Sequence, residues 1–415
     1  MSNNKSELLD NYDVYVGSSR MNIVSHIHND SVENNITIEM VPIGMVQINN
    51  ESGNFIYVFS KDSIIYIINV EDNQIHGTIK LPGLLDNHNN HNIALSHNQS
   101  TLYVANSNPD SGTGGWISVI DIRQHTLKNS IQVKGNPIGL SLTHGEYEGT
   151  EKLYVISKGA HSLSIIDTSN EEVLKSFFLS LDEPQNLTIT PDNKYFIIGY
   201  KSSGKLHVGD IQTDSVIKSI YSNKAKTHCL AISMDGTLLY VCGKRSTSDK
   251  GQDKTELRIY DISNGFRFVR VMTLNDKSTD PRMIIECKND DDFTSIFVSA
   301  EYSHKKVYLY KIVRDIHVNS FILKNSREFS NEFNGFFAMT HDSKYIVTAN
   351  PYRNSISYVD AESFKSEGII RLRKYPDTLL VVDSSHIQPL KSISEVQIVE
   401  NDKIDNLSDD YDDNN

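Results

Sequence analysis

The chain has 415 residues and carries 53 acidic against 40 basic side chains, a formal net charge of −13. That balance argues against a nucleic-acid binder working through bulk charge, and three cysteines cannot build a disulfide framework. Apolar residues at 38%, with 20 Tyr and 15 Phe, suffice for a large folded core. No apolar run reaches the ~18 residues of a membrane span, and residues 1–13 hold no signal-peptide core, so a soluble intracellular protein is expected.

Residues 1–12 form a polar arm. The first strand-like string is Val14-Tyr15-Val16-Gly17, followed by further strands at 22–28 and 36–40. From there one unit repeats, over 42–81, 91–133, 136–179, 183–222, 226–274, 280–326 and 333–372. Each unit opens on an apolar run headed by Pro or a small polar residue and then turns into a Tyr-Val string. A third run usually ends in Asp, and a fourth closes the unit. The strings read Ile56-Tyr57-Val58-Phe59, Leu102-Tyr103-Val104-Ala105, Leu153-Tyr154-Val155-Ile156, Tyr195-Phe196-Ile197-Ile198, Leu239-Tyr240-Val241-Cys242, Ile296-Phe297-Val298-Ser299 and Tyr345-Ile346-Val347-Thr348. β-Branched and aromatic residues dominate, with Asp-Gly, Asn or Ser between runs. Eight strings at spacings of 42 to 57 residues fall in the band of four-stranded propeller blades.

Seven units are complete. The N-terminal piece lacks a first strand, and the segment from Pro376 to Asp383 is a first strand with no Tyr-Val string after it. One blade split between the termini uses both leftovers and leaves no open sheet edge. The expected fold is therefore all-β, a β-propeller of eight four-stranded antiparallel blades, with seven blades as the alternative. The propeller domain spans 13–400, with 384–400 as a candidate extra outer strand. Residues 401–415 form an acidic disordered tail.

These strings resemble the YVTN-type β-propeller family, relatives of surface-layer and WD-repeat propellers, over about residues 12–383. The Tyr-Val string, the Asp ending the third strand and the Pro opening the first all match. Asn69 and Lys311 replace the Asp, and Asn90, Thr227 and Asn334 replace the Pro. The secretion signal common in surface-layer relatives is missing.

Asp121, Asp167, Asp210, Asp261 and Asp360 are read as turn residues that accept nearby backbone N–H groups. His97, His144 and His341 share a turn position after a first strand. Gly112 to Gly115 lack the helix that a phosphate loop needs. His88 and His91 have metal-like spacing without a third converging ligand, so neither metal nor cofactor is expected. Cys229 and Cys242 fall opposite each other across Asp235-Gly236 and read as buried thiols. No nucleophile elbow, Walker loop, dinucleotide fingerprint or zinc-protease motif occurs.

First strands line a propeller's channel, so the residue after each opening position rims its mouth: Ile43, His91, Ile138, Gln185, His228, Arg282, Gly335 and Asp377. Of these, His91, Gln185, His228, Arg282 and Asp377 are the candidate binding residues. The long segments 82–90, 107–115 and 244–256 open onto the same end. The expected function is a non-enzymatic binding or scaffold module, monomeric, with a protein or peptide partner at the mouth. The competing expectation is an enzyme at that mouth, since similar propellers include lactonase-like hydrolases and cofactor-binding domains of redox enzymes.

Overall fold

The computed structural model describes residues 12–383, except 29, 86–91, 109–113, 146–150, 222–224, 246–252, 276–278, 304–305, 331–335 and 374. Residues 1–11 of the expected arm, the 384–400 extension and the acidic tail lie outside these residues, as do His88, His91 and Gly335, whereas Tyr12 already belongs to the first strand.

Eight four-stranded antiparallel sheets form the ring. Seven come from consecutive strands. The eighth is split: Pro376–Asp383 pairs with Tyr12–Ser18, which is followed by Ile23–His28 and Ser31–Thr37. The closing register sets Val14 opposite Val381 and Val16 opposite Leu379. We number the complete blades 1 to 7 in chain order and the split blade 8. First strands of neighbouring blades pack on one another, which places them around the axis. The only helical turn among the described residues is the short segment Pro351–Arg353. The fourth strand of blade 8 lies at 31–37 rather than at the expected 36–40. As a solvent-facing outer strand it carries Asn and Glu and has little apolar signal.

Second strands are buried on both faces. In Thr101–Ser107, Leu102 and Val104 pack toward blade 1, while Tyr103 and Ala105 pack toward blade 3. That double burial is why the strings read as continuous apolar runs without polar alternation. The string tyrosines also stitch blades together. Tyr15 donates to Asn73 Oδ1 at 2.5 Å, Tyr57 bonds His125 Nδ1 at 2.6 Å, and Tyr154 donates to Asp214. Each partner sits at the left-handed position of the next blade's turn between third and fourth strands, with φ of 55°, 55° and 49°. In two of the three blades whose string position is apolar, the turn residue is apolar too, Asp30 after Val347 being the exception. Ile197 shares a cluster with Phe266, and the Phe297 and Phe364 rings lie 6.1 Å apart.

The pairing register corrects two strings. Tyr195 pairs with Asp210 as Phe55 pairs with Asn69, so Ile197, not Phe196, takes the tyrosine place. By the same register Val347 takes it in blade 7. The Asp turns form as expected: Asp167, Asp210 and Asp360 accept N–H bonds from Ser169, Thr213 and Ser363 at 2.8, 2.7 and 2.7 Å. Blade 6 also keeps this feature. Its long third strand, Lys306–Asp315, ends in Asp315, which accepts from His317 N–H at 3.0 Å, whereas Lys311 lies mid-strand and bonds Glu362. Cys229 and Cys242 are registered opposite each other as buried free thiols. Burial, and then Cys229, pushes the Cys242 thiol well up, so it stays protonated and unreactive. His97 and His144 serve their turns through the backbone, donating N–H to Glu151 and Asn193 of the next blade at 3.0 and 2.7 Å.

Candidate functional site

One irregularity recurs at the channel mouth. In six blades the first strand carries a bulge at the rim position, so that Ile43, Ile138, Gln185, His228, Arg282 and Asp377 are each the extra residue. A bulge kinks the strand and re-aims its side chain. The partner strand must come close to accommodate it. A Cβ on Gly243 would lie 1.7 Å from the Lys226 carbonyl oxygen, which leaves only glycine at that place.

The bulges do not make one open polar rim. Ile43 and Ile138 are buried in blade interfaces, and Asp377 is 0% exposed. Gln185, His228 and Arg282, in blades 4, 5 and 6, do form a continuous group. Asn186 next to Gln185 donates to the His228 carbonyl at 3.1 Å. His228 Nε2 lies 3.9 Å from Asp280 Oδ1, and Lys244 Nζ holds the same oxygen at 2.5 Å. Arg282 Nε bonds Glu301 Oε2 at 3.0 Å. Asp377 belongs to blade 8 and stands apart from this group.

Sequence reading missed Lys201, Lys244, Asp280 and Glu301. A signal was present: Lys226 faces Lys244 across one hairpin and Asp280 faces Glu301 across the next. Like charges opposed on neighbouring strands are unfavourable unless something outside the hairpin relieves them. Here each hairpin relieves the other.

His228 is neutral. Burial pushes its pKa down to about 4; Asp280 opposes the shift, and Lys201, Lys244 and Arg282 reinforce it. Its Nε2 is buried with no hydrogen-bond partner among the described residues. Burial would raise Asp280, but the Lys244 bond and charge outweigh it and hold the carboxyl low. In blade 4, His207 bonds Tyr200 at 2.8 Å and is likewise lowered to about 4 by burial and by Lys205. An unfolded His titrates near ~6.5, so between about pH 6.5 and 4 only the unfolded chain takes up these protons. The stability contributed by the two neutral rings is complete above that window and is lost as pH falls through it. Melting temperatures should therefore drop on acidification from about pH 7 to about 4.5. The double variant His207→Gln/His228→Gln should melt lower at neutral pH but with a flatter slope. An unchanged slope would assign the acid sensitivity to other groups.

The most exposed large apolar side chains at the same end are Leu181 at 90%, Tyr221 at 71% and Phe178 at 59%. Phe178 and Tyr221 end the fourth strands Glu172–Phe178 and Ser215–Tyr221, and Leu181 lies in the link that returns to the channel at Pro184. Isolated exposed apolar residues are ordinary, but these three belong to neighbouring blades and the link between them on one end of the ring, which makes that end the candidate contact surface.

The fold defines the chain as an eight-bladed β-propeller. No family model and no curated protein sequence matches it. Among solved structures it is similar to dihydro-heme d1 dehydrogenase NirN in complex with DHE, at 14% identity and TM-score 0.64 over 92% of this chain and 76% of that one. It is also similar to hydrazine synthase of Kuenenia stuttgartiensis, at 14% identity and TM-score 0.56 over 80% and 98%. Periplasmic gluconolactonase PpgL of Pseudomonas aeruginosa matches at 14% identity and TM-score 0.53 over 82% and 99%. At such identities the likeness concerns the fold alone. No helix among the described residues is long and apolar enough to cross a membrane.

Proposed function

We propose that the chain is a YVTN-type binding or scaffold propeller that holds a protein or peptide partner on the face around the channel mouth. The observation that carries this reading is that Phe178, Leu181 and Tyr221 stand exposed on the same end of the ring as the charged group of blades 4 to 6. Apolar anchors next to polar, orienting groups are the usual make-up of a contact site. The rim charges fit such a role, because Lys244 and Arg282 are committed to Asp280 and Glu301, which fixes the shape of the mouth.

A photo-crosslinking residue at position 181, compared with one at Val318, which is exposed at the opposite end, tests the reading. A partner captured from 181 and not from 318, and lost when Tyr221 becomes Asp, supports it. Equal capture at both positions refutes the choice of face. One observation favours the enzymatic alternative: a neutral His228 whose Nε2 has no hydrogen-bond partner among the described residues, beside an ionised Asp280, has the ingredients of a general base. Under that alternative the structural neighbours that are enzymes, such as the gluconolactonase, become relevant. His228→Gln separates the two readings, since partner capture should survive it and a general-base activity should not.

A further inference from the structure

The turns at the two ends of the ring differ in charge, and the repeat itself explains the acidic end. At the end away from the mouth, every complete blade from 2 to 7 closes its third strand with a carboxylate: Asp121, Asp167, Asp210, Asp261, Asp315 and Asp360. These carboxylates accept backbone N–H groups in the turns that follow. Turn chemistry thus deposits negative charge on one end, once in each of six of the eight blades.

At the mouth end the bias reverses. Five turns between second and third strands are described in full, those of blades 8, 1, 3, 4 and 7. Each carries one basic residue, respectively Arg20, Lys61, Lys158, Lys201 and Arg353, and all five are exposed. Asp62 is the one carboxylate in these five turns. No backbone geometry requires Lys or Arg there, so the pattern is not a by-product of turn formation. On a chain of net charge −13, these five turns together carry five basic residues against one carboxylate, while Lys158, Lys244 and Arg282 at the same end are paired with Glu183, Asp280 and Glu301.

We propose that this mouth receives an acidic protein segment that also carries bulky apolar side chains. The proposal rests on the reading that the mouth is the binding end, and it adds the chemistry of the partner. Charge complementarity selects acidic residues and speeds their approach. The exposed Phe178, Leu181 and Tyr221 select apolar anchors among them, with Lys201 nearby in sequence and Lys158 paired to Glu183 at 3.4 Å. A nucleic acid fits less well. Its backbone offers no aliphatic anchor for Leu181, and a long polyanion also meets the acidic end and the strongly negative remainder of the chain.

The test uses the full chain and fluorescence anisotropy with three labelled probes. One is a synthetic peptide in which Asp and Glu alternate with Leu and Tyr. The second is the same peptide with Asn and Gln in place of the acids. The third is a single-stranded oligonucleotide of equal net charge. The acidic peptide should bind, and more weakly as salt rises from ~50 to ~200 mM. The exposed-turn variant Lys158→Glu/Lys201→Glu should lose about tenfold in affinity without a change in melting temperature. Arg123→Glu, in an exposed turn at the opposite end, should leave binding unchanged. Equal binding of the neutral peptide, with loss on Leu181→Asp, overturns the acidic preference and leaves the mouth as the binding end. Tighter binding of the oligonucleotide overturns the protein partner. Peptide binding that ignores the charge reversal overturns the proposal and the choice of face together. Failure of the acidic peptide to bind at low salt overturns the proposal.

Discussion

A chain ending at Tyr375 should lose its cooperative thermal transition. The strand Pro376–Asp383 supplies the inner strand of blade 8, and its four central residues face two neighbours at once. Leu379 and Val381 pack into the cluster shared with blade 7, and Leu380 and Val382 into the cluster shared with blade 1. Burial of each such side chain contributes ~1.5–3 kcal/mol. Their joint loss is comparable with the ~5–15 kcal/mol net stability of a typical domain. The truncation also exposes the backbone edge of Tyr12–Ser18 to pairing with other chains. Far-ultraviolet circular dichroism during heating, with size-exclusion chromatography, reads both effects: a broad low-temperature melt and a shift to aggregates. A chain ending at residue 401 keeps every contact of the closing strand and should melt with the full chain. If the chain ending at Tyr375 did the same, the ring would not depend on its split blade.

The closure was legible because first strands are apolar whatever they pair with, and Leu379 to Val382 stand out against polar flanks. The spacing of tyrosines fixed the blade count for a related reason. Double burial keeps second strands apolar, and Tyr15, Tyr57 and Tyr154 each reach a partner in the next blade. The one-residue slips at Phe196 and Ile346 arose where that tyrosine is absent. Ile197 and Val347 carry no hydroxyl to mark the register, and composition alone does not distinguish neighbouring apolar positions of a strand buried on both sides. Asp315 was missed because blade 6 lengthens its hairpin, so that counting from the string lands on Lys311.

The rim positions were found by alignment, but their fate was not. Whether a bulged residue faces water, as Arg282 partly does, or a blade interface, as Ile138 does, depends on how adjacent blades pack. That is tertiary information. Asp377 illustrates the cost of reading polarity as exposure: it is fully buried although its residue type suggests a wet rim.

Removing the guanidinium of Arg314 should be among the most damaging single substitutions in the ring. Arg314 is 1% exposed and lies in the third strand of blade 6, at the end away from the mouth. Its Nη2 donates to Asp235 Oδ2 at 2.7 Å and to Asn319 Oδ1 at 2.8 Å, and its Nη1 lies 3.6 Å from Glu286 Oε1. The Glu286 side chain is 3% exposed, and it accepts from Thr294 Oγ1 at 2.6 Å, from the Met234 N–H at 2.7 Å and from the Tyr240 hydroxyl at 3.0 Å. The network thus joins a strand, two turns and a string tyrosine across the blade 5–6 interface. Deleting the cation leaves a buried carboxylate uncompensated, a change that costs about 3–5 kcal/mol. Arg314→Met keeps most of the volume but not the charge, and should lower stability by that amount in chemical denaturation. Glu286→Gln in the same chain removes the stranded charge while keeping its shape, so the double variant should recover part of the loss. This non-additivity is the signature of a direct pair. Asp235 adds a pH signature. Burial would raise it, but the Arg314, Ser233 and Thr237 hydrogen bonds outweigh this and hold it at about 2. Its contribution is complete above the ordinary carboxylate range and fades as pH falls toward 2. Denaturation curves of the native chain and of Arg314→Met should therefore converge below about pH 3. Two curves that stayed equally far apart at every pH would show that Arg314 acts through packing volume and not through its charge.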